Sequence, residues 1–289
     1  MSTALETMLG LAGRVALVTG GGNGIARATA LRLATAGCDV AVVDLDPEAA
    51  ERTATEIREL GREAVALEKD LTVPTAHTEM VEGTVTALGD LSVAVNVCGG
   101  TGGVTKSFLD MSIGDWHKPL VLNLDTTFLS CQAEAISMVR GGRPSTIVNV
   151  ASSSGVAAAP NLAGYGAANA GVVHFTKTAA IELAPYGIRV NCIVPGTHWT
   201  AGTRHRATSP DSPPAVREFF TTAESVTPLG HLGEPEETAG VALFLASDLS
   251  SYMTGHAVVS DGGILHTTAR PAFGESKVPD AIKDHVATR

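Results

Sequence analysis

Short apolar segments alternate with helical segments along most of this 289-residue chain. The apolar segments are the predicted strands, and they span residues 14–19, 39–44, 65–67, 91–95, 146–150, 189–194 and 257–260. Between them lie segments with helical spacing, over about 25–37, 47–61, 75–88, 113–139, 165–183 and after Pro235. Strands that are apolar throughout, rather than at every second position, are typical of a sheet covered on both faces. The alternation therefore predicts a single-domain α/β fold with a doubly wound parallel sheet.

One segment interrupts this alternation. Residues 197–227 are rich in Thr, Ser and Pro and carry the aromatic side chains of Trp199 and Phe220. A loop of this length in a compact domain is usually a lid or a binding loop, with a surface excursion as the alternative. We therefore expect one domain over residues 1–265, with a substrate loop at 197–227, followed by a polar tail over 266–289.

The composition argues against several classes of protein. A formal net charge of −10 at pH 7 argues against nucleic acid as a partner, because phosphate-binding surfaces are basic. The apolar stretches are too interrupted for a membrane span, and the N-terminus lacks the basic region of a secretory signal. The four cysteines, at positions 38, 98, 131 and 192, show neither a CxxC pair nor the spacing of metal ligands. We therefore expect a cytoplasmic protein with reduced thiols, no metal site and no membrane partner.

The turn after the first predicted strand is rich in glycine. Residues 19–26 read Thr-Gly-Gly-Gly-Asn-Gly-Ile-Ala and join that strand to the following helix. Glycine lets a phosphate approach the backbone, and the helix N-terminus offers free N–H groups and a positive dipole end. The spacing differs from GxGxxG, because Ile25 stands where the last glycine would be. The location in a βαβ unit favours a dinucleotide-binding loop over the alternative of a plain tight turn.

An acidic residue ends the second predicted strand. Asp44 lies about 20 residues after Gly24, where a carboxylate accepts hydrogen bonds from the adenosine ribose of a dinucleotide. It would repel the 2′-phosphate of NADP, and the next residues, Leu45, Asp46 and Pro47, supply no cation. The sequence thus predicts NAD as the cofactor, the alternative being that Asp44 only caps the strand.

With further motifs, these residues resemble the short-chain dehydrogenase/reductase family over about residues 10–265. The glycine pattern is similar to the family's TGxxxGxG, and Ser152 and Tyr165 have the family's usual separation. The remaining matches are Asp70-Leu71, Asn96, Gly99, Asn123, Pro195-Gly196, Thr200 and the late Asp261-Gly262-Gly263. Each match is weak alone, but their order and spacing are specific for the family, which implies the Rossmann fold.

The resemblance implies a role for each matched residue. Ser152 would orient the substrate oxygen, Tyr165 would act as acid and base, and Asn123 would support a water relay. Asn169 is the fourth predicted catalytic residue, because its amide can hold the nicotinamide ribose. The predicted cofactor-binding residues are Gly20, Asn23, Gly24, Ile25, Asp44, Asp70, Leu71, Asn96, Gly99, Tyr165, Asn169, Pro195, Gly196, His198 and Thr200.

The chain departs from the family at one catalytic position. The family pattern Tyr-x-x-x-Lys reads Tyr-Gly-Ala-Ala-Asn over residues 165–169, so a neutral amide replaces an ammonium group. A cation about 4 Å from the tyrosine is worth on the order of 4 kcal/mol at an effective dielectric constant near 20. Its loss predicts slow proton transfer near neutral pH. His174 and Lys177 lie too far along the same helix to compensate. His198, close to Pro195-Gly196, is a candidate proton carrier, with an exposed loop histidine as the alternative.

Two hypotheses about function follow. The first is an NAD(H)-dependent oxidoreductase that interconverts a secondary alcohol and a ketone. Its substrate would be a mostly apolar small molecule, as residues 156–160 indicate. The second is a non-redox protein on the same fold, either an isomerase, cyclase or lyase or a ligand-binding pseudoenzyme, which the missing lysine supports. The resemblance also implies a homodimer or homotetramer.

Overall fold

The strands form one parallel sheet. The computed structural model describes residues 3–267. Its seven strands are β1 (Val15–Thr19), β2 (Asp39–Asp44), β3 (Ala64–Glu68), β4 (Leu91–Asn96), β5 (Ser145–Val150), β6 (Ile188–Pro195) and β7 (Ala257–Ser260). The strand order is β3-β2-β1-β4-β5-β6-β7, and every neighbouring pair is parallel. The predicted doubly wound sheet is confirmed, and its order reverses between β1 and β4, where such sheets bind ligands.

Helices cover both faces of the sheet. They are α1 (Thr3–Leu9), α2 (Gly24–Thr35), α3 (Pro47–Glu59), α4 (Thr75–Leu88), α5 (Ile113–Pro119), α6 (Thr126–Gly141), α7 (Ala163–Leu183), α8 (Ala201–Thr208), α9 (Pro214–Val226) and α10 (Pro235–Ala246). The start of α3 shows how residue types in the sequence indicate where a helix begins. The Asp46 side chain accepts hydrogen bonds from the N–H groups of Glu48 and Ala49, and Pro47 occupies the first turn.

Two apolar layers enclose the sheet. Alternate residues of β2 belong to different layers: Val40 and Val42 pack with α2, α3 and α10, whereas Ala41 and Val43 pack with α4, α6 and α7. All four side chains are fully buried. The uniformly apolar strands therefore have the physical cause that the sequence predicts, because each face of the sheet requires its own apolar residues.

The single helix predicted over residues 113–139 is wrong in one respect. The segment divides into α5 and α6, with a π-helical turn over Leu120–Asp125 between them. Pro119 ends α5, and a proline has no N–H to donate within a helix. The wider turn places Asn123 inside this interruption, and such turns occur frequently at functional sites.

The segment 197–227, predicted as a loop, contains two helices, α8 and α9, and its role as a substrate lid stays a prediction. Their inner faces form a small apolar cluster in which the rings of Trp199 and Phe220 stack with centroids 5.4 Å apart. The guanidinium group of Arg204 lies 5.4 Å from the centroid of the Trp199 ring. The segment therefore has a core of its own. Most of the predicted tail, residues 268–289, lies outside the described residues.

Candidate active site

The glycine turn brings the backbone close to the second strand. Gly20 and Gly24 have φ angles of 68° and 55°, in the left-handed region that favours glycine. A Cβ atom on Gly22 would lie 2.6 Å from Ala49 Cβ and 2.8 Å from Asp44 Oδ2. Only glycine fits there without displacing the neighbouring chain. The turn leads directly into α2, whose N-terminus faces the same place.

The carboxylate of Asp44 is held by main-chain hydrogen bonds. The N–H of Gly22 donates to its Oδ2 at 2.8 Å, and the N–H of Asp46 donates to its Oδ1 at 3.0 Å. Both oxygens are thereby fixed beside the glycine turn. A ribose hydroxyl can still donate to either oxygen, because a carboxylate accepts several hydrogen bonds.

A groove of about 650 Å³ runs along the carboxyl edge of the sheet. It is lined by nine of the predicted cofactor-binding residues, namely Gly20, Asn23, Gly24, Ile25, Asp44, Asp70, Leu71, Gly99 and Thr200. Thr200 reaches across to the glycine turn, where a Cβ on Gly24 would lie 3.2 Å from its Cγ2. A helix N-terminus, a tight glycine turn and a fixed carboxylate thus line one groove, which is the combination that a dinucleotide requires.

The groove has further lining residues that the sequence analysis missed. Lys69, Leu122, Ala201 and Gly202 adjoin motif residues in the chain, and that adjacency was the signal available for them. The prediction of cofactor preference considered only the residues after Asp44 as a source of positive charge and overlooked Lys69. The ammonium group of Lys69 pairs with the carboxylate of Glu79 at 2.6 Å.

The titratable groups of the groove have altered pKa values. Hydrogen bonds from the side chain and backbone of Thr72 lower the pKa of the Asp70 carboxyl. Burial, with smaller contributions from the carboxylates of Asp44 and Asp70, raises the pKa of the Cys98 thiol to about 11. The groove therefore carries negative charge beside Asp44 and Asp70, and the Cys98 thiol stays protonated at neutral pH.

Asn123 fastens the loop that follows β4. Its Oδ1 accepts a hydrogen bond from the N–H of Gly100 at 3.0 Å, and its Nδ2 donates to the carbonyls of Gly100 and Pro119 at 2.8 Å. A Cβ on Gly99 would lie 2.4 Å from the same Oδ1. The amide is thus committed to the main chain, and the predicted water relay stays a prediction.

Asn96 lies beneath the groove rather than in its lining. Its side chain is 3% exposed, and its Nδ2 donates to Glu134 Oε2 at 3.0 Å and to Asn149 Oδ1 at 3.2 Å. The loop above it is joined to β1 by separate hydrogen bonds, which the N–H groups of Val97 and Cys98 donate to Thr19 Oγ1. Asn96 therefore supports the end of β4 from inside the protein.

Ser152 and Tyr165 lie on two segments in direct backbone contact. Ser152 follows β5, its Oγ accepts a hydrogen bond from the N–H of Ser154 at 3.2 Å, and Tyr165 occupies the first turn of α7. A Cβ on Gly166 would lie 2.9 Å from the carbonyl oxygen of Ser154. This contact holds the turn over residues 152–155 (the serine turn) against the first turn of α7 (the tyrosine turn) at the carboxyl edge of the sheet. The side chains of Ser152 and Tyr165 are both half-buried.

Asn169 lies one turn beyond Tyr165 and is enclosed. It is 1% exposed, and its Nδ2 donates to the backbone carbonyl of Tyr165 at 2.9 Å. A Cβ on Gly155 would lie 2.6 Å from the carbonyl carbon of Asn169, so the serine turn covers this position. The amide nitrogen is bonded to its own helix, which leaves Oδ1 as the atom able to accept a hydrogen bond from a ligand.

His198 is neither in the groove lining nor an exposed loop residue. Its ring is 6% exposed; Nδ1 lies 3.0 Å from the carbonyl oxygen of Gly196, and Nε2 lies 2.7 Å from Thr238 Oγ1. A Cβ on Gly233 would lie 2.5 Å from Nε2. With both ring nitrogens bonded inside the protein, the geometry favours a packing role over proton transfer. Gly196, next to Pro195 at the end of β6, abuts Asp261.

Comparison with known proteins shows which family the chain is similar to. The family model described as enoyl-(acyl carrier protein) reductase matches residues 20–265. A cyclohexanol dehydrogenase of Acinetobacter sp. (strain SE19) is 39% identical over 251 residues, which cover 86% of this chain and 94% of that protein. The (3R)-3-hydroxyacyl-CoA dehydrogenase of Rattus norvegicus is 35% identical over 90% of this chain and 99% of that protein.

A solved structure agrees with these relatives. The structure of a 7α-hydroxysteroid dehydrogenase with NADH and 7-oxo glycochenodeoxycholic acid superimposes with a TM-score of 0.81 and 30% identity, over 91% of this chain and 98% of that one. The chain belongs to the short-chain dehydrogenase/reductase family. It is an oxidoreductase acting on CH–OH groups, and members of this family use nicotinamide cofactors. The non-redox alternative is not favoured. In the described part of the chain, no helix has the length and apolar character needed to cross a membrane.

Proposed function

We propose that this protein is an NAD(H)-dependent dehydrogenase that interconverts a secondary alcohol and a ketone on a mostly apolar small molecule. The observation that carries the proposal is the close contact of the serine and tyrosine turns at the sheet edge that also holds the groove. When bound, the nicotinamide ring supplies the hydride donor or acceptor. Alcohol–ketone chemistry then needs a second group that moves a proton at the substrate oxygen.

Three side chains have proposed roles toward the substrate and the cofactor. The Tyr165 hydroxyl exchanges the proton with the substrate oxygen, and the Ser152 hydroxyl, which keeps its own proton, donates a hydrogen bond to that oxygen. Asn169 Oδ1 accepts a hydrogen bond from the nicotinamide ribose. Asn123 keeps the Gly100 loop in place beneath them.

The preference for NAD over NADP is proposed from the environment of Asp44. Its carboxylate cannot move away from a 2′-phosphate without breaking its bonds to the N–H groups of Gly22 and Asp46. Lys69, the nearby cation, is already paired with Glu79. Charge repulsion is therefore left uncompensated, which favours the unphosphorylated ribose.

An apolar groove between α6 and α7 supports a homodimer or homotetramer. It measures about 470 Å³ and is lined by large apolar side chains, among them Phe128, Ile136, Val139 and Leu183. Phe128, Ile136 and Val139 are 43%, 48% and 38% exposed. Contiguous exposed apolar surface of this kind is typical of a protein interface. The four cysteines are free thiols, which fits our expectation of a cytoplasmic protein.

Substitution of Tyr165 tests the proposed chemistry. Tyr165→Phe removes only the hydroxyl oxygen and should lower kcat at least about 100-fold for any alcohol that the parent oxidises with NAD, since general acid–base catalysis contributes that much. The fluorescence of bound NADH should stay unchanged. Tyr252→Phe, at a fully exposed tyrosine, is the matched control. Equal activity in the parent and Tyr165→Phe, or no turnover across a broad panel of alcohols and ketones, would contradict the proposal.

A further inference from the structure

A buried carboxyl group lies beneath the end of β4, and the residues after β4 form the floor of the cofactor groove. Glu134 of α6 is 0% exposed, and its Oε2 accepts a hydrogen bond from Asn96 Nδ2 at 3.0 Å. Asn96 is the last residue of β4, directly before Val97, Cys98 and Gly99, which line the groove. A fully buried glutamate is normally paired with a cation. The ion pairs found within residues 3–267 do not include Glu134.

The hydrogen-bond donors around this carboxyl group are already used. The two hydrogens of Asn96 Nδ2 serve Glu134 Oε2 and Asn149 Oδ1. Asn149 Nδ2 donates to Thr176 Oγ1 at 3.1 Å, and the Cys131 thiol donates to Asn149 Oδ1 at 3.2 Å. Two acceptors are left over, because Glu134 Oε1 and Asn96 Oδ1 are both buried and without a partner among the described residues. The cluster therefore has too few donors for its oxygens, and buried oxygens without partners destabilise the folded state.

We propose that Glu134 is a neutral carboxylic acid in the folded protein and that its proton, shared with the Asn96 amide, positions the floor of the cofactor groove. A proton on Oε1 supplies the missing donor, and Asn96 Oδ1 is the free acceptor on the partner amide. In a reciprocal acid–amide pair, the amide N–H and the acid O–H donate in opposite directions, so both leftover oxygens gain a bond. The pair then ties α6 to the end of β4.

The charges around the pair agree with a neutral acid. Burial raises the pKa of Glu134 from 4.5 to about 7, and the Asn96 hydrogen bond opposes only part of this rise. On α6, burial raises the pKa of the Cys131 thiol well above its usual value. On β6, burial raises that of Cys192 to about 12. On α4, burial lowers the pKa of His77, which is bonded to Ser130 one turn before Glu134. None of these groups provides a cation at neutral pH.

The proton on Glu134 makes stability depend on pH in a definite direction. Since its pKa is higher in the folded than in the unfolded state, the folded protein binds more protons between pH 4.5 and about 7. The stabilisation from this proton is fully present below pH 4.5 and is lost as the pH rises to about 7. Each unit of the pKa difference is tenfold in the unfolding equilibrium. The total effect is therefore a few hundredfold.

The stability test compares the parent with Glu134→Gln, an uncharged amide of the same shape. We expect the unfolding equilibrium constant of the parent, divided by that of Glu134→Gln, to rise a few hundredfold between pH 4 and 8, a range that brackets both pKa values. Glu59→Gln, at an exposed glutamate at the end of α3, should leave the corresponding ratio flat. A flat ratio for Glu134→Gln would overturn the proposal.

Infrared spectroscopy on the parent gives an independent measurement if Glu134→Gln fails to fold. We expect a protonated-carboxyl carbonyl band at pH 6 that disappears near pH 7 to 8. Absence of that band at pH 6 would show an ionised Glu134 and overturn the proposal.

The positioning role rests on the proposed function and is tested by NADH titration. We expect the Kd of the parent for NADH to rise severalfold between pH 6 and 8. The control variant Glu59→Gln should show the same rise, and Glu134→Gln should not. If the parent and Glu134→Gln share one profile, the positioning role is wrong. If the parent binds neither NADH nor NADPH, the proposed function fails, whereas the stability and infrared results still decide whether Glu134 holds a proton.

Discussion

Asn169 stands where the family pattern Tyr-x-x-x-Lys has a lysine. Its side chain is 1% exposed and donates a hydrogen bond to the carbonyl of Tyr165. The relatives are nevertheless named as dehydrogenases. In the proposed mechanism, Tyr165 exchanges the proton without an adjacent side-chain cation.

Restoring the lysine should accelerate the reaction. Asn169→Lys places an ammonium group one helical turn from Tyr165, which favours the ionised phenol needed to accept a proton. We expect kcat/KM for alcohol oxidation at pH 7 to rise roughly 100-fold. Ala170→Lys adds the same charge at the next, exposed position of α7 and should have little effect. No gain, in a parent that is active, would indicate that the tyrosine does not set the rate.

Asp44 is the residue to which we attribute the proposed preference for NAD. Asp44→Asn keeps an acceptor for the N–H of Gly22 but removes the negative charge. We expect the ratio of kcat/KM for NADP to that for NAD to rise at least about tenfold, since 1.4 kcal/mol of lost repulsion suffices. Glu48→Gln, in the exposed first turn of α3, removes a neighbouring charge outside the groove and serves as control. An unchanged ratio would assign the preference to another residue.

At the scale of elements, α8 and α9 form a unit that is attached to the body at few points. Residues 197–199 bond to Gly233, and Arg204 of α8 pairs with Glu234 at the start of α10 at 2.5 Å. The same guanidinium group covers the Trp199 ring. Because Thr200, Ala201 and Gly202 line the cofactor groove, the position of this unit affects the site directly.

Removing the Arg204 contacts should loosen this unit without changing the chemistry. An exposed ion pair and a cation–π contact contribute about 1 kcal/mol each at most. Arg204→Ala should therefore raise the substrate KM severalfold, with a smaller change in kcat, and increase amide hydrogen exchange over residues 201–226. Arg206→Ala, on the same helix, is the matched control. Equal exchange rates in both variants would show that the contacts of Arg204 do not hold α8 in place.

At the scale of the whole molecule, the groove between α6 and α7 predicts self-association. Ile136→Glu places a charge on the 48% exposed isoleucine of this surface, where it would have to be desolvated in an interface. We expect the variant to be monomeric by light scattering, whereas the parent is a dimer or tetramer. Leu60→Glu, at a 51% exposed leucine after α3, should leave assembly unchanged. A monomeric parent would refute the proposed oligomer.

Pattern in the sequence was enough to predict the sheet and much of the groove. All seven predicted strands are present, because strands covered on both faces are mostly apolar rather than alternating. Nine predicted cofactor-binding residues share one groove, since the carboxyl ends of parallel strands meet at one edge. The Rossmann fold and the catalytic roles were expected from the resemblance to a family rather than from periodicity, and the strand order was read from the structure.

Which polar residues are buried, and which atoms they bond to, follows from packing that sequence pattern does not report. Asn96 and His198 are close to the motifs in the chain, yet both are enclosed by other elements. Glu134 looks like an ordinary helix glutamate in the sequence, and its burial depends on residues of β4, β5 and α7 that are far away along the chain. Local pattern reports which face of an element is apolar, whereas the partner of a buried polar atom depends on how distant elements pack.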